Sequence, residues 1–305
     1  MTTAATTPET AASAAREDAG IPRRNRRPRY IRGTRPGWFV YGCLGVVLLA
    51  SIFPFYWSLL IGSGTSYTIR DPHMSWIPGG NFFSNAAKVI GDPAVNFWVA
   101  LGNSIISSGL IALSVVFFST LAGWAFAKLR FRGSSVLLVF VIATMAVPMQ
   151  LGVVPLYILF SEIGWTGNLG AIIVPALVSA FGVFWMTQYI RQAVPDELIE
   201  AARVDGASAF RTFLTVGVPA ARPAAAMLGL FTFVSAWNNF FWPFIVLDRQ
   251  NPTLPVALSL LQSNYFVDYS IVLAGVLLST IPLIILFIFA GRQLVSGIMQ
   301  GAVKG

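Results

Sequence analysis

The sequence predicts an all-α integral membrane protein with six transmembrane helices. Of its 305 residues, 56% are hydrophobic and only 10% are charged. Soluble domains carry about 25% charged residues, so this composition excludes an ordinary soluble domain. Six apolar stretches each provide the roughly 20 residues that a helix needs to cross a bilayer.

The six stretches are separated by polar or charged segments. Pro148 and Pro155 fall inside the third stretch, where neighbouring helices can satisfy the carbonyl groups that a proline leaves free. We therefore predict membrane spans at about residues 38–61, 98–127, 134–160, 168–190, 222–247 and 269–291.

The first 36 residues differ from the rest of the chain. Residues 1–20 are rich in Ala and Thr and lack apolar periodicity, which is typical of a disordered tail. Residues 21–36 are rich in Arg and Pro, and the apolar stretch after them is too long for a cleavable signal peptide. We predict a disordered, basic, cytoplasmic tail over residues 1–36 and a six-span domain over residues 37–305.

The positive charges predict the orientation in the membrane. Seventeen of the 20 Lys and Arg residues lie in the two tails and in the loops after spans two and four, whereas Arg70, Lys88 and Arg249 lie in the opposite loops. Lys and Arg accumulate on the cytoplasmic side. We therefore expect a multi-pass protein of the cytoplasmic (inner) membrane with both termini in the cytoplasm. The net charge of +8 then indicates contact with membrane lipid rather than nucleic acid.

The longest polar interruption after the first hundred residues is the segment 195–219. Pro195 ends the preceding helix, because proline has no backbone N–H to donate. Acidic side chains stabilise the first turn of a helix, so Asp196 and Glu197 predict a short helix over about 196–204. The charge distribution places this segment in the cytoplasm.

A turn and a second short helix are predicted within the same segment. Gly206 can adopt the left-handed backbone that ends a helix, and the second helix is expected to start at Ala207 and end before Pro219. Small side chains at such a bend allow another molecule to approach the backbone closely. An ordinary solvated loop has the same amphipathic pattern, so the residues alone leave both interpretations open.

Patterns for catalysis and nucleotide binding are missing from the sequence. It has no G-x-x-x-x-G-K-[ST] loop, and it contains one cysteine and one histidine. The centres of the predicted spans contain none of the ionisable side chains that proton- or sodium-coupled carriers use. We predict that the chain is not an enzyme and that it binds no metal or cofactor itself.

Uncharged polar and aromatic side chains in spans four and five are candidates for a substrate pathway. Amide groups beside a tryptophan ring suit sugars, which need hydrogen bonds to hydroxyl groups and an apolar surface for the ring face. Amides also join helices to one another in membranes, so both roles stay open. The candidates are Gln188, Trp237, Asn238 and Asn239.

Several short motifs resemble those of a known family. Glu200-Ala201-Ala202, followed by Asp205-Gly206-Ala207 and by Pro219 and Pro223, resembles the EAA loop of ABC importer permeases, in the form found in the carbohydrate-uptake, maltose-type, binding-protein-dependent branch. The motifs Asn103-Ser104, Ala125–Phe131 and Trp237–Phe240 are similar to patterns of the same branch.

The resemblance implies a type I ABC importer permease fold. It also implies that the segment 195–219, hereafter the coupling loop, docks on a cytoplasmic ATPase. The candidate ATPase-coupling residues are Glu200, Ala201, Ala202, Asp205, Gly206, Ala207, Phe213 and Pro219.

The resemblance further implies partners and a substrate class. The partners are a second permease subunit in a heterodimer, two ATPase subunits that use ATP and Mg, and an extracytoplasmic solute-binding protein. The expected substrate is a neutral mono- or oligosaccharide, because the span centres offer no cation to a glycerol-phosphate type of substrate. An ATP-independent channel or secondary carrier for a small polar solute is the alternative.

Overall fold

The computed structural model describes residues 37–71, 75–263 and 266–302, without the side chains of residues 292–302. The predicted tail over residues 1–36 lies outside these residues. The chain divides into two units, residues 1–51 and residues 52–305. In the described residues the regular secondary structure is entirely helical, which confirms the predicted all-α class.

The described α-helices are numbered along the chain. The first seven are α1 Trp38–Gly62, α2 Phe82–Gly91, α3 Phe97–Lys128, α4 Ser134–Thr144, α5 Val153–Glu162, α6 Gly170–Ile173 and α7 Ala180–Ala193. The remaining six are α8 Asp196–Val204, α9 Ala209–Thr212, α10 Val218–Trp237, α11 Phe241–Val246, α12 Leu254–Leu260 and α13 Tyr269–Ala302.

Five of the described helical runs are long and apolar enough to cross a membrane. They are Trp38–Gly62, Phe97–Lys128, Gly170–Ala193, Ala209–Trp237 and Tyr269–Gly291. A sixth span is obtained when the bent pair formed by Ser134–Thr144 and Met149–Glu162 is counted as one. By length and composition, the described chain therefore provides the predicted six-span architecture.

The third predicted span, 134–160, is not a single helix. Its two halves are bent by 84°. The break lies before Pro148, whose backbone is extended with φ −64° and ψ 127°. Proline cannot donate to a helical carbonyl and also disfavours helical angles at the residue before it, so the helix ends at Thr144.

The second helix of the coupling loop was predicted to end before Pro219, and that prediction is wrong. α9 passes into a π-helical turn, Phe213–Gly217, which passes directly into α10. Pro219 is the second residue of α10 and follows the π turn directly, so the helical run continues through the proline instead of ending before it. The wider π turn therefore carries the helix past the proline.

The fifth predicted span, 222–247, is also not one helix. α10 ends at Trp237, and α11 starts only at Phe241. The Asn238 side chain donates from Nδ2 to the Val234 carbonyl at 2.9 Å. Asparagine side chains compete with the backbone for hydrogen bonds in this way, which favours a helix end.

The core is built around α3, which packs mainly against α7 and α10. A Cβ atom on Gly123 would lie 2.7 Å from Cβ of Met186 and 2.9 Å from the backbone nitrogen of Thr187. A Cβ atom on Gly182 of α7 would likewise overlap the side-chain hydroxyl of Ser119 of α3. Small residues allow membrane helices to pack backbone against backbone, and here they join α3 to α7.

The two ends of α3 bind different parts of the chain. At its beginning, Asn103 donates from Nδ2 to the Pro252 carbonyl at 3.0 Å, and Ser104 Oγ accepts the Leu254 N–H at 2.7 Å. At its end, Lys128 pairs with Asp196 of α8. With 32 residues, α3 is about 48 Å long and connects the coupling loop to the segment after α11.

Gly123→Ala is expected to lower the free energy of unfolding of the purified chain by about 1–3 kcal/mol, because the methyl group would overlap α7. Gly109 is the matched control, since it lies on the same helix and a Cβ there would meet nothing within 4 Å. Gly109→Ala is expected to be neutral or to stabilise by about 0.5–1 kcal/mol. Thermal unfolding in detergent measures both variants, and equal Tm values would contradict the close packing.

Candidate functional site

The first arm of the coupling loop is α8. It follows Pro195 directly, has Asp196 and Glu197 in its first turn, and ends at Val204. The predicted helix over 196–204 is therefore confirmed. Pro195 itself has extended backbone angles, φ −61° and ψ 146°, which separate α7 from α8.

The turn after α8 is closed by backbone hydrogen bonds. Gly206 has φ +76°, which confirms the predicted left-handed conformation. The Gly206 N–H donates a hydrogen bond to the Arg203 carbonyl at 3.0 Å, and the Ala207 N–H donates one to the Ala202 carbonyl at 2.9 Å. This pair of bonds is a Schellman motif, which satisfies the last carbonyl groups of a helix.

The second arm of the coupling loop is capped as well. Ser208 Oγ accepts the Arg211 N–H at 3.3 Å, and Thr212 donates from Oγ1 to the Ser208 carbonyl at 3.0 Å. Both arms therefore have hydrogen-bonded ends at the bend. A helix pair closed in this way moves as one body more readily than an open loop does.

The predicted coupling residues are mostly on the surface. Glu200, Ala201, Asp205, Gly206 and Pro219 are exposed, Ala202 and Ala207 are half-buried, and Phe213 is buried. Two exposed apolar residues of the coupling loop are not among the predicted ones: Val204 is 87% exposed and Phe210 is 64% exposed. The signal in the sequence was a large apolar residue on each side of a polar turn, a pattern that often marks a contact surface.

Two side chains of the coupling loop anchor it in the core of the molecule. Ile199 of α8 and Phe213 of the π turn belong to the same buried cluster as Trp124 and Ile190. The Phe213 and Trp124 rings are 5.8 Å apart. Burying such side chains stabilises by about 1.5–3 kcal/mol each, so the coupling loop is held firmly against α3 and α7.

Trp124 lies directly on the π turn. A Cβ on Gly217 would be 2.7 Å from Cε3 and 2.8 Å from Cζ3 of the Trp124 ring. The ring is buried, and its Nε1–H has no hydrogen-bond partner in the described part of the chain. An unpaired buried donor costs about 1–3 kcal/mol of folding free energy. A different position of the Trp124 ring that gave this donor an acceptor would remove that cost.

An ion pair links the end of α3 to the start of α8. Lys128 Nζ lies 2.7 Å from Asp196 Oδ1. The Lys128 side chain is 5% exposed, whereas that of Asp196 is 76% exposed. The hydrogen bond from Lys128, and then its charge, lower the pKa of Asp196.

The candidate pathway residue Trp237 is buried. Its ring stacks on that of Phe233, with centroids 5.8 Å apart and planes at 19°. It shares a buried cluster with Phe97 and Ala100 of α3. The ring therefore has no free face in this chain, and its contacts are those of a packing residue.

The other pathway candidates are more accessible. Asn238 and Asn239 are exposed in the break between α10 and α11, and Gln188 is half-buried on α7. Thr187, beside Gln188, packs at Gly123 of α3, whereas Trp237 lies in the cluster at Ala100. Along α3 these two levels are about 35 Å apart, so Gln188 does not share one site with the other three.

In the described residues no group of three or more His, Cys, Asp or Glu side chains could hold a metal ion. The chemical features of the site are therefore an exposed, rigid helix pair at one end of α3 and exposed amides at a helix break towards the other.

Asp196→Asn is expected to lower the Tm of the folded chain at neutral pH, because it removes the ion pair with Lys128. A lowered pKa in the folded state means that the pair stabilises the fold above the ordinary carboxyl pKa, and that this contribution is lost as the pH falls through the lowered value. The Tm difference from the unsubstituted chain should therefore disappear in acid.

Glu197→Gln serves as the control, since Glu197 forms no ion pair with any described residue. The Glu197→Gln variant also removes an acidic side chain from the first turn of α8, so its Tm at neutral pH should fall less than that of Asp196→Asn, which loses the ion pair as well. A Tm difference for Asp196→Asn that stayed constant into acid would contradict the role of the pair.

The chain is similar to permease proteins of known transport systems. It is 34% identical over 210 residues to the arabinooligosaccharides transport system permease protein AraQ of Halalkalibacterium halodurans, covering 68% of this chain and 75% of the relative. It is 31% identical over 277 residues to the lactose transport system permease protein LacG of Rhizobium radiobacter, covering 90% and 98%.

The fold matches that of a solved ABC importer. In the crystal structure of a bacterial ABC transporter involved in the import of the acidic polysaccharide alginate, one chain superposes with a TM-score of 0.69 at 23% identity, covering 84% of this chain and 95% of that chain. The type I ABC importer permease fold is therefore confirmed. Residues 116–297, more than half of the chain, match the model of one protein family. The chain belongs to that family, the inner membrane components of binding-protein-dependent transport systems.

Proposed function

We propose that this chain is one transmembrane subunit of an ATP-driven importer that moves a sugar across the cytoplasmic membrane. The observation that carries the proposal is the coupling loop, a capped and exposed helix pair anchored by Ile199 and Phe213. Such a body suits the transfer of a displacement from a partner protein into the membrane. In the proposed orientation both termini and the coupling loop face the cytoplasm.

The coupling loop joins two long helices in a way that suits rigid motion. α7 enters it at Pro195, and α10 leaves it through the π turn without any interruption of the helix. A displacement of the coupling loop would therefore tilt α10 directly. In the proposed cycle, closure of an ATPase dimer supplies the displacement and the tilt opens the pathway to the other side.

The exposed surface of the coupling loop favours a protein partner. Val204 and Phe210 expose apolar side chains on the coupling loop, and Glu200 and Asp205 expose carboxylates on the same loop. An apolar centre with a charged rim is the usual composition of a protein interface. We propose that these residues, with Ala201 and Ala207, dock on one of two cytoplasmic ATPase subunits, which bind ATP and Mg.

The breaks in spans three and five favour a second membrane subunit. Irregular backbone at membrane depth is tolerated only where protein covers it or where it lines water. Met145 and Val147 in one break, and Asn238 and Asn239 in the other, are exposed in this chain. We propose that a second permease subunit covers them in a heterodimer, and that an extracytoplasmic solute-binding protein delivers the substrate.

A neutral sugar is the proposed substrate. The two similar permeases are named for arabino-oligosaccharides and lactose. The span centres carry no Lys or Arg that would pair with the phosphate of a glycerol-phosphate type of substrate. Asn238, Asn239 and Gln188 would contact sugar hydroxyl groups at different depths of the pathway, and Trp237 would hold Asn238 in place.

A cysteine placed at Ser208, in a Cys43→Ser background, is expected to be protected from a membrane-impermeant maleimide on intact cells and labelled after permeabilisation. Ser208 is exposed in the coupling loop, so whether the maleimide labels it depends on which side of the membrane the loop lies. Gln250→Cys is the control for the opposite side and should be labelled on intact cells. Labelling of the Ser208→Cys variant from outside would place the coupling loop on the wrong face and overturn the proposal.

Gly206→Val is expected to abolish ATP-dependent uptake while the protein still inserts in the membrane. Placing a β-branched residue in the left-handed backbone of Gly206 costs about 1–2 kcal/mol in backbone strain. No steric clash adds to this cost, because a Cβ at Gly206 would meet nothing within 4 Å. Gly206→Asn should retain uptake, since asparagine tolerates this conformation. Uptake is measured with the sugar that the system's solute-binding protein retains in a binding screen, and unchanged uptake by Gly206→Val would contradict the coupling role.

A further inference from the structure

We infer that Trp124 is the positioning residue through which a displacement of the coupling loop reaches α3. The inference rests on the proposed function of the coupling loop. α7 and α10 are joined to the coupling loop by the chain itself, whereas α3 is joined to it only by side-chain contacts.

Trp124 lies in direct contact with the π turn. Gly217 has φ −63° and ψ −55°, which any residue adopts in a helix, so its conformation does not require glycine. The Trp124 ring does require it, because the ring occupies the place of a side chain at Gly217. The Phe213 ring packs on the Trp124 ring as well, with centroids 5.8 Å apart. The π turn therefore cannot shift towards α3 without pushing Trp124.

Trp124 is a firmer link between α3 and the coupling loop than the Lys128–Asp196 ion pair. The Lys128–Asp196 pair lies one turn further along α3, but the Asp196 carboxylate is 76% exposed. Exposed ion pairs are weak and are screened by salt. Trp124 is 3% exposed and packs in the core, where side chains transmit displacement with little loss.

The buried Nε1–H of Trp124 has no hydrogen-bond partner among the residues that the structure describes. A buried donor without an acceptor calls for an explanation. The benzo edge of the same ring, Cε3 and Cζ3, lies against the π turn, and π turns are frequent at functional sites. A shift of the π turn that moved the ring would also move this donor, so the two arrangements of the coupling loop would differ in its surroundings.

α3 is long and continuous, with 32 residues in one helix. Among the described membrane-spanning runs, it is the one without proline, so it has no built-in hinge. Its other end holds the Pro252 carbonyl and the Leu254 N–H through Asn103 and Ser104. A push at Trp124 would therefore reach the segment before α12, on the far side of the molecule.

The test uses the assembled transporter, isolated through this chain in a Cys43→Ser background and placed in nanodiscs. A bimane fluorophore is attached at one of two positions: Leu113→Cys, 71% exposed on α3, or Phe231→Cys, 52% exposed on α10. The measurement is the change in bimane emission when ATP and vanadate trap the closed nucleotide state. We expect both reporters to shift in the otherwise unsubstituted complex.

In Trp124→Ala we expect the emission shift to be lost at position 113 and kept at position 231. A purely structural role would weaken both shifts together, so the selective loss identifies transmission to α3. Trp98→Ala is the matched control, because Trp98 is an exposed tryptophan on the same helix. It should keep both shifts.

Every other outcome counts against the inference. Retention of both shifts in Trp124→Ala, equal loss of both, or a shift confined to position 231 in the unsubstituted complex would overturn it and leave the proposed function standing. The absence of any shift at both positions in the unsubstituted complex would overturn the proposed function and this inference with it.

Gly217→Ala tests the same contact from the other side if Trp124→Ala reduces the yield of assembled complex. Its methyl group would lie 2.7 Å from Cε3 of Trp124 and displace the ring. The same selective loss at position 113 is expected. Two retained shifts in Gly217→Ala would contradict the role of the contact.

Discussion

Close contact between α3 and the helices on both sides of the coupling loop is the constraint on which the rest of the structure depends. Gly123 brings the backbone of α3 against Met186 and Thr187 of α7, and Gly217 brings the π turn before α10 against the Trp124 ring. Inside a membrane, packing rather than hydrophobic burial holds helices together. Because these glycines have no Cβ atom, α3 can approach α7 and the start of α10 closely enough for their surfaces to pack.

The coupling loop depends on the same contacts. Helices as short as α8 and α9 are marginal by themselves in water. Here Ile199 and Phe213 are buried in the cluster that contains Trp124, and the Schellman turn at Gly206 closes the exposed end. Local hydrogen bonds thus fix the shape of the coupling loop, and burial in the core fixes its position.

The interruptions of the helices have a common physical basis. Span three breaks at Pro148, which has no N–H, and span five breaks at Asn238, whose side-chain amide shares the Val234 carbonyl with the backbone. The π turn before Pro219 has the opposite effect, because it keeps a helix going past a proline. Broken helices are common in transporters, where they form substrate and ion sites. These features place irregular backbone in spans three and five and leave α3 continuous.

The sequence by itself determined the features that depend on composition and local backbone chemistry. Apolar stretches of bilayer length predicted the spans, and Pro195, Asp196 and Gly206 predicted α8 and its turn with the observed bounds. The tertiary structure alone decided that Trp237 is buried, that Gln188 lies far from Asn238, and that Trp124 rests on Gly217. These features depend on which side chains meet across helices that are distant in the chain, and no local pattern of residues encodes such a meeting.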